Sequence, residues 1–478
     1  MRGLATIVFV AAAQVAAGPF LQWPLAPGDE RYGAIDGKHL HALVVEQAEI
    51  SRRYRDQGHP QFWGRITGTS SDAESAMWLV EKFKRIGLSD IRVQPIDLPP
   101  QWMPQSWTIT ATGANGKTLR LDRSAQPAYG SPGTSPAGVD LDAVWVGTGS
   151  DADFAGRDVR GKAVFMFSMP LPGSMNNTST AEGGPKRAES KGAAAIFEVI
   201  GLPGNMRNEL YPARVGVPVF ALGMEDGYAI RDVIGASPGH PPRVHIQMDV
   251  KMVPDAKSAL VWATLPGATD ETIYVMAHRD GWFDAATDNA SGVATMIGLA
   301  EYYAKMPRVN RRRTIVFVGL DGHHNDTGGV GRMWMVAHKA ELFSKTALAI
   351  NAEHTSTLQT YFYGEKIRTT NGYTAMLWYA GGPSRPKLQD LSVKAFHEFG
   401  VPIYSEPEDA PPPGDLGRFY GFVPGVDAGD FNMYFHTDAE TPETVPWTGL
   451  EATTRAYAKI IDEVNKLPLS DLQRPEEK

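Results

Sequence analysis

From about residue 257 onward, near-continuous apolar runs recur with a helix-like stretch among them, and this alternation constrains the fold more than any other feature of the 478-residue chain. SALVWATL, TIYVMAHRD, RRTIVFVGLDG and ALAINAEH read as strands, and SGVATMIGLAEYYAKM reads as a helix. Strands that are apolar at successive positions are those buried on both faces, as in a parallel sheet covered by helices. A last helix over residues 449–466 closes this unit. Near the start of the chain, residues 38–56 space Leu40, Leu43, Val44, Ala48 and Ile50 as a helix requires. A second helix over 72–86 follows the capping residues Ser70 and Ser71 and stops at Gly87, and the strand-like IRVQPIDL comes next at 91–98. The expected fold is therefore α/β, with a mixed, mostly parallel sheet sandwiched by helices.

Between about 136 and 250 the texture changes to short β-rich pieces: LDAVWVG, GKAVFMF, AAAIFEVI and VGVPVFAL. The polar SMNNTSTAEGGPKRAESKG among them is expected to be a surface loop followed by a helix. We read 136–250 as a β-rich domain inserted into an α/β domain made of residues 19–130 and 255–478.

Composition narrows the chemistry. With 46 basic against 54 acidic side chains, the chain lacks the positive balance of a protein held on phosphate backbones, so nucleic acid is not an expected partner. It has no Cys, which excludes disulfides, thiolate metal sites and a Cys nucleophile together. Any metal must be held by His, Asp or Glu. The opening MRGLATIVFVAAAQVAAG sets one Arg before an apolar run that ends in small residues, the pattern of a signal peptide over 1–18. Pro19 stops that run short of the roughly 20 residues a spanning helix needs. The expectation is an exported protein, periplasmic or secreted, without stable membrane insertion.

The strand ends carry the chemistry. TIYVMA runs into His278, Arg279 and Asp280, and Asp288 follows in TDNASG just ahead of a helix. The next strands deliver His323 with His324, and Glu353 with His354, while His436 lies in MYFHTDAET. In open α/β sheets, ligands bind at the carboxyl ends of strands. Imidazole and carboxylate donors without thiolate suit Zn, and also Mn, Fe or Co. Two such ions sharing a carboxylate lower the pKa of water and make a nucleophile able to attack an amide at neutral pH.

These residues resemble those of the zinc-dependent metallopeptidases that include bacterial leucyl aminopeptidases and glutamate carboxypeptidase. The similarity is carried by AHRDGWFDAATDNASGVATMIGLAEYY, IVFVGLDGHH, INAEHTS, GDLGRFYGFVPGV and FHTDAET, and the 136–250 stretch resembles the protease-associated domain of many members. The resemblance implies that His278 binds one metal, that Asp288 bridges two, that Asp280 orients His278, and that His436 binds the second metal. Glu353 stands where the family usually has Asp, which keeps the charge on a longer arm. The departure is at His323 and His324, where the family usually has two adjacent Glu, a general base and a ligand of the second metal. His324 can still ligate through a neutral imidazole. His323 has the right unperturbed pKa for a base at neutral pH, but beside a dication it can instead coordinate or stay idle. Losing two carboxylates also weakens a second cation site, which leaves one ion or two open.

The function expected on these grounds is metal-dependent hydrolysis of peptide or small amide bonds by an exopeptidase-like enzyme. His278, Asp288, Glu353, His324 and His436 are its metal ligands, His323 is the base candidate, and Asp280 is the orienting carboxylate. Tyr434, two residues before His436, is a candidate substrate contact. The alternatives are a one-metal amidohydrolase or acyltransferase, and a binding protein on the same scaffold. The sequon at Asn289 is not read as glycosylated, because it sits in a ligand loop that enters a helix. Oligomeric state is not legible.

Overall fold

The computed structural model describes residues 22–171, 177–324, 329–363, 366–373, 376–379, 384–405, 411–412, 414–429 and 433–473. The expected signal peptide, 1–18, lies outside them. No helix among the described residues is long and apolar enough to cross a membrane.

Helix α1 spans Gly37–Asp56, and α2 spans Ser70–Ile86. Asp36 caps α1 by accepting from Lys38 N. At the end of α2, Gly87 turns left-handed at φ 83°, so that its N–H and that of Leu88 reach back to Lys84 O and Phe83 O. The main sheet then collects β1 (Ser89–Asp97), β2 (Lys257–Leu265) and β3 (Thr272–His278). After helix α3 (Gly292–Ala304) come β4 (Thr314–Leu320), helix α4 (Val330–Ala337) and β5 (Thr346–Asn351). The chain continues through β6 (Met376–Tyr379), helix α5 (Pro386–Glu398), β7 (Ile403–Ser405), β8 (Gly425–Gly429) and helix α6 (Trp447–Val464).

These eight strands form one mixed sheet in the order β7-β6-β8-β5-β3-β4-β2-β1. The four at its centre, β8, β5, β3 and β4, are all parallel, whereas β1 and β2 join antiparallel at one edge. Alternation along each strand splits the apolar residues between two cores. Ile273, Val275 and Ala277 pack with α1, α2, α3 and α6, while Tyr274 and Met276 pack on the other face with Met335 of α4 and Phe419. This explains why the central strands are apolar at every position. From β3 the chain passes to β4 on one side, then crosses back to β5 on the other. The carboxyl ends of β3 and β5 therefore flank a topological switch point, where α/β sheets open a crevice.

A second eight-stranded sheet draws on residues 101–253. Its parallel centre is Val139–Trp145, Ala163–Ser168, Ala195–Ile200 and Val219–Leu222. One side is extended by Arg243–Val253, which pairs antiparallel with Gln101–Thr112 along its whole length. Strand pairing thus reaches back to Gln101, ahead of the 136 at which the change of texture sets in. A loop at 207–209 of this unit hydrogen-bonds to the segment 435–438 that carries His436.

Candidate metal centre

Each donor arrives at the crevice for a local reason. His278 is the last residue of β3, fully buried, so its direction is fixed by the parallel ladders on both sides. Asp288 follows on a loop whose backbone is clamped from below: Glu440 Oε1 accepts the N–H groups of Thr287 at 2.9 Å and Asp288 at 2.7 Å. Asn289, with no exposed surface, joins this loop to the end of β5 by donating to Ala352 O and accepting from His354 N. A glycan at that sequon would have no room.

Around Asp288 the donors divide into two groups. Oδ1 faces His278 Nε2 at 3.1 Å and His354 Nε2 at 3.1 Å, and Glu353 Oε1 lies 3.7 Å from His278 Nε2 and 3.9 Å from His354 Nε2. Oδ2 faces His324 Nε2 at 2.9 Å and His436 Nε2 at 3.0 Å. His278, Glu353 and His354 offer three atoms within ion-binding distance of one another, and Asp288, His324 and His436 do the same. His278 Nε2 and Asp288 Oδ1 are both buried and make no hydrogen bond, although they lie 3.1 Å apart. Two acceptor atoms aimed at each other in a buried pocket suit a cation between them. Imidazole nitrogen with carboxylate oxygen is the donor chemistry of zinc.

Asp280 lies behind two of these histidines. Its oxygens lie 3.3 Å from His278 Nδ1 and 3.2 Å from His324 Nδ1, and they accept the backbone N–H groups of His323 and His324. Both histidines thereby turn Nε2 toward Asp288. His323 stacks on His278 with ring centroids 4.3 Å apart, and its Nε2 lies 3.8 Å from Glu353 Oε1. Tyr434 is half-buried, and its carbonyl accepts from Thr437 N and Oγ1, which shapes the turn that presents His436.

The electrostatics follow from burial and charge. Burial raises the Asp288 carboxyl, but the facing His324 and His354 outweigh it and hold it well below the usual carboxylate range. Burial lowers His324 and His354, and Asp288 overcomes that loss to push each up to about 9. His323 goes the other way: burial, with His278 beside it, holds it well below the usual imidazole range.

Several participants were not read from the sequence as site residues. His354 follows the strand Thr346–Asn351 directly after Glu353, and that position is its signal in the sequence. Glu440 sits four residues after His436, and Asp415 lies in the GDLG turn. Gly414, left-handed at φ 75°, lets that turn press on the site, because a Cβ there would fall 2.8 Å from Glu353 Oε2. From the second sheet, Tyr211 sets its ring 5.1 Å from His436 and 5.8 Å from Trp282.

Comparison with known proteins adds a family and a fold. Residues 261–461, which contain all the donors around Asp288, match Peptidase family M28. No curated protein matches the sequence. Among solved structures, the chain is similar to BSAP, a zinc aminopeptidase from Bacillus subtilis, at 18% identity and a TM-score of 0.63, over 92% of this chain and 98% of that one. The aminopeptidase from Aneurinibacillus sp. strain AM-1 aligns at 17% identity and a TM-score of 0.57, covering 94% and 97%. The Peptidase M28 precursor from Shewanella amazonensis SB2B aligns at 17% identity and a TM-score of 0.68, covering 91% and 97%. These likenesses establish the mixed α/β fold, and the family match favours hydrolysis over the acyl-transfer and binding-only alternatives. Residues 261–461 of this chain are a Peptidase family M28 domain, the domain of a peptide hydrolase.

Proposed function

We propose that the chain is an exported, zinc-dependent aminopeptidase-like exopeptidase whose usual pair of adjacent Glu is replaced by His323 and His324. The observation that carries this reading is the division of Asp288: one oxygen faces His278 and His354, and the other faces His324 and His436. His278, Glu353 and His354 would hold one ion and His324 and His436 the other, with Asp288 shared. Bound there, the metal supplies Lewis-acid polarisation of the scissile carbonyl and makes water acidic enough to attack near neutral pH.

The chain's own residues do the rest. Asp280 fixes the tautomers of His278 and His324 so that their Nε2 atoms serve as donors. His323, a neutral ring over His278, accepts the proton of the attacking water and passes it to the departing amine. Tyr434, beside the His436 turn, is the candidate substrate contact. The second sheet, which we read as an inserted protease-associated-like domain, sets Tyr211 beside His436 and Trp282, where it would limit the site to one end of a peptide.

The test is replacement of His278 or Asp288 by Ala, with zinc content and hydrolysis of aminoacyl, acyl-amino-acid and small amide substrates measured together. Loss of turnover is expected in both variants, with one zinc equivalent lost in His278→Ala and both in Asp288→Ala, and with aminoacyl substrates preferred by the parent. Full activity in either variant rejects the assignment.

A further inference from the structure

Asp415 is completely buried, and nothing in the sequence reading gives it a role. Its Oδ1 lies 2.8 Å from His323 Nδ1. The buried Arg332 guanidinium pairs with the same carboxylate, and its Nη1 lies 3.3 Å from His323 Nδ1. Both contacts fall on Oδ1, so a single carboxylate oxygen takes up the ring and the guanidinium together. A bare Nδ1 would set its lone pair against Asp415 Oδ1 at 2.8 Å, and the Arg332 N–H that could otherwise serve Nδ1 is taken up by the same carboxylate, so Nδ1 carries the hydrogen and donates it to Asp415. The ring's other nitrogen then has the free lone pair. That atom, Nε2, lies 3.8 Å from Glu353 Oε1 on the ring that stacks on His278, so it faces the donor cluster across a gap too long for a direct hydrogen bond.

We propose that Asp415 is the positioning residue of His323: by holding Nδ1–H it fixes the ring's tautomer and orientation so that Nε2 is the proton acceptor of the hydrolysis. The replacement of a glutamate base by histidine is then functional, because the imidazole comes with its own carboxylate partner. This inference rests on the reading of His323 as the base. In the reaction, Nε2 takes one proton from water as the oxygen–carbonyl bond forms. Asp415 stays ionised and faces the imidazolium, as a carboxylate does behind a catalytic histidine. The proton then passes from Nε2 to the leaving nitrogen as the C–N bond breaks, which returns the ring to its starting state with a carboxylic acid and an amine as products.

Two measurements on the full chain test this. The first is long-range 1H–15N NMR of the metal-free protein, with the His323 ring assigned by its loss in His323→Ala. The Nδ1–H tautomer is expected in the parent, with a shift toward Nε2–H in Asp415→Asn. An Nε2–H tautomer in the parent overturns the proposal without requiring any variant to fold. The second is kinetics of zinc-loaded Asp415→Asn and His323→Ala at verified metal content. Asp415→Asn is expected to lower kcat on the order of 10²–10⁴-fold while KM moves less than about threefold. An unchanged kcat in Asp415→Asn with a dead His323→Ala overturns the role of Asp415 and leaves His323 as the base. Full activity in His323→Ala overturns the reading of the base itself, and the proposal with it.

Discussion

Glu440 Oε1 accepts the backbone N–H of Asp288 at 2.7 Å, which ties the shared carboxylate to a residue 152 positions further along the chain. The other oxygen of Glu440 accepts His436 N–H at 3.0 Å. One buried side chain therefore sets the spacing between Asp288 and His436 by holding their main chains. Supporting contacts of this kind commonly change metal affinity by about 10–100-fold. Glu440→Ala is expected to weaken zinc binding by that factor, and Glu440→Gln, which keeps one acceptor oxygen, by less. Competition against a chromophoric chelator reads the difference directly.

The division of donors at Asp288 predicts two ions, each separable from the other. His354→Ala removes a donor beside Oδ1, and His436→Ala removes one beside Oδ2. Each variant is expected to lose one zinc equivalent and retain the other, as counted by elemental analysis after dialysis at limiting free zinc. Chelator treatment of the parent should abolish turnover, and added zinc should restore it. Removal of the metal should also lower Tm, since a ligand at about 1,000 times its Kd stabilises the folded state by about 4 kcal/mol. Equal loss of both equivalents in both variants would mean that the cluster holds a single ion.

The parts of this molecule that were legible in the sequence are those written in local pattern. The run TIYVMAH had to be a strand buried on both faces, and it is, with His278 at its end. Gly87 had to stop the second helix, and it does so in a left-handed turn; Thr69 takes the capping position, one residue before the serines expected there. The strand Gln101–Thr112 escaped because Pro104, Gln105 and Ser106 interrupt its apolar pattern, and its partner Arg243–Val253 is more than a hundred residues away. The helix Met224–Ala236 is short and weakly patterned, and went unread. At the site, the donors announced by strand ends were visible, whereas Glu440, Asp415 and Tyr211 act through backbone or ring contacts that only the folded chain brings together. Side chains that support a ligand leave a fainter mark in sequence than the ligand itself, because any segment that passes close enough can supply them.

Arg65 is a further member of that hidden set, and its effect should be large. Its guanidinium has no exposed surface and donates to Arg279 O at 2.9 Å, Asp284 O at 2.9 Å, Ala285 O at 3.0 Å and Ser51 Oγ at 3.1 Å. Three of those acceptors belong to the loop that carries the chain from His278 to Asp288. Burial lowers the guanidinium to about 10, against the pull of Asp280 and Asp284, so it remains a cation at neutral pH. Arg65→Ala would leave several buried carbonyls without donors, each costing about 1–3 kcal/mol. The total loss should be on the order of 3–5 kcal/mol, the scale of breaking a buried charged network. Lys cannot restore it, because one ammonium cannot reproduce a planar fork that reaches acceptors on both sides. Denaturant melts of the metal-free parent, Arg65→Ala and Arg65→Lys measure the cost. Zinc affinity should fall along with stability, because the loop being held is the one that delivers Asp288. A variant within about 0.5 kcal/mol of the parent would show that the loop keeps its shape without the cation, and that the ladder of β3 and the Glu440 clamp are enough to place the shared carboxylate.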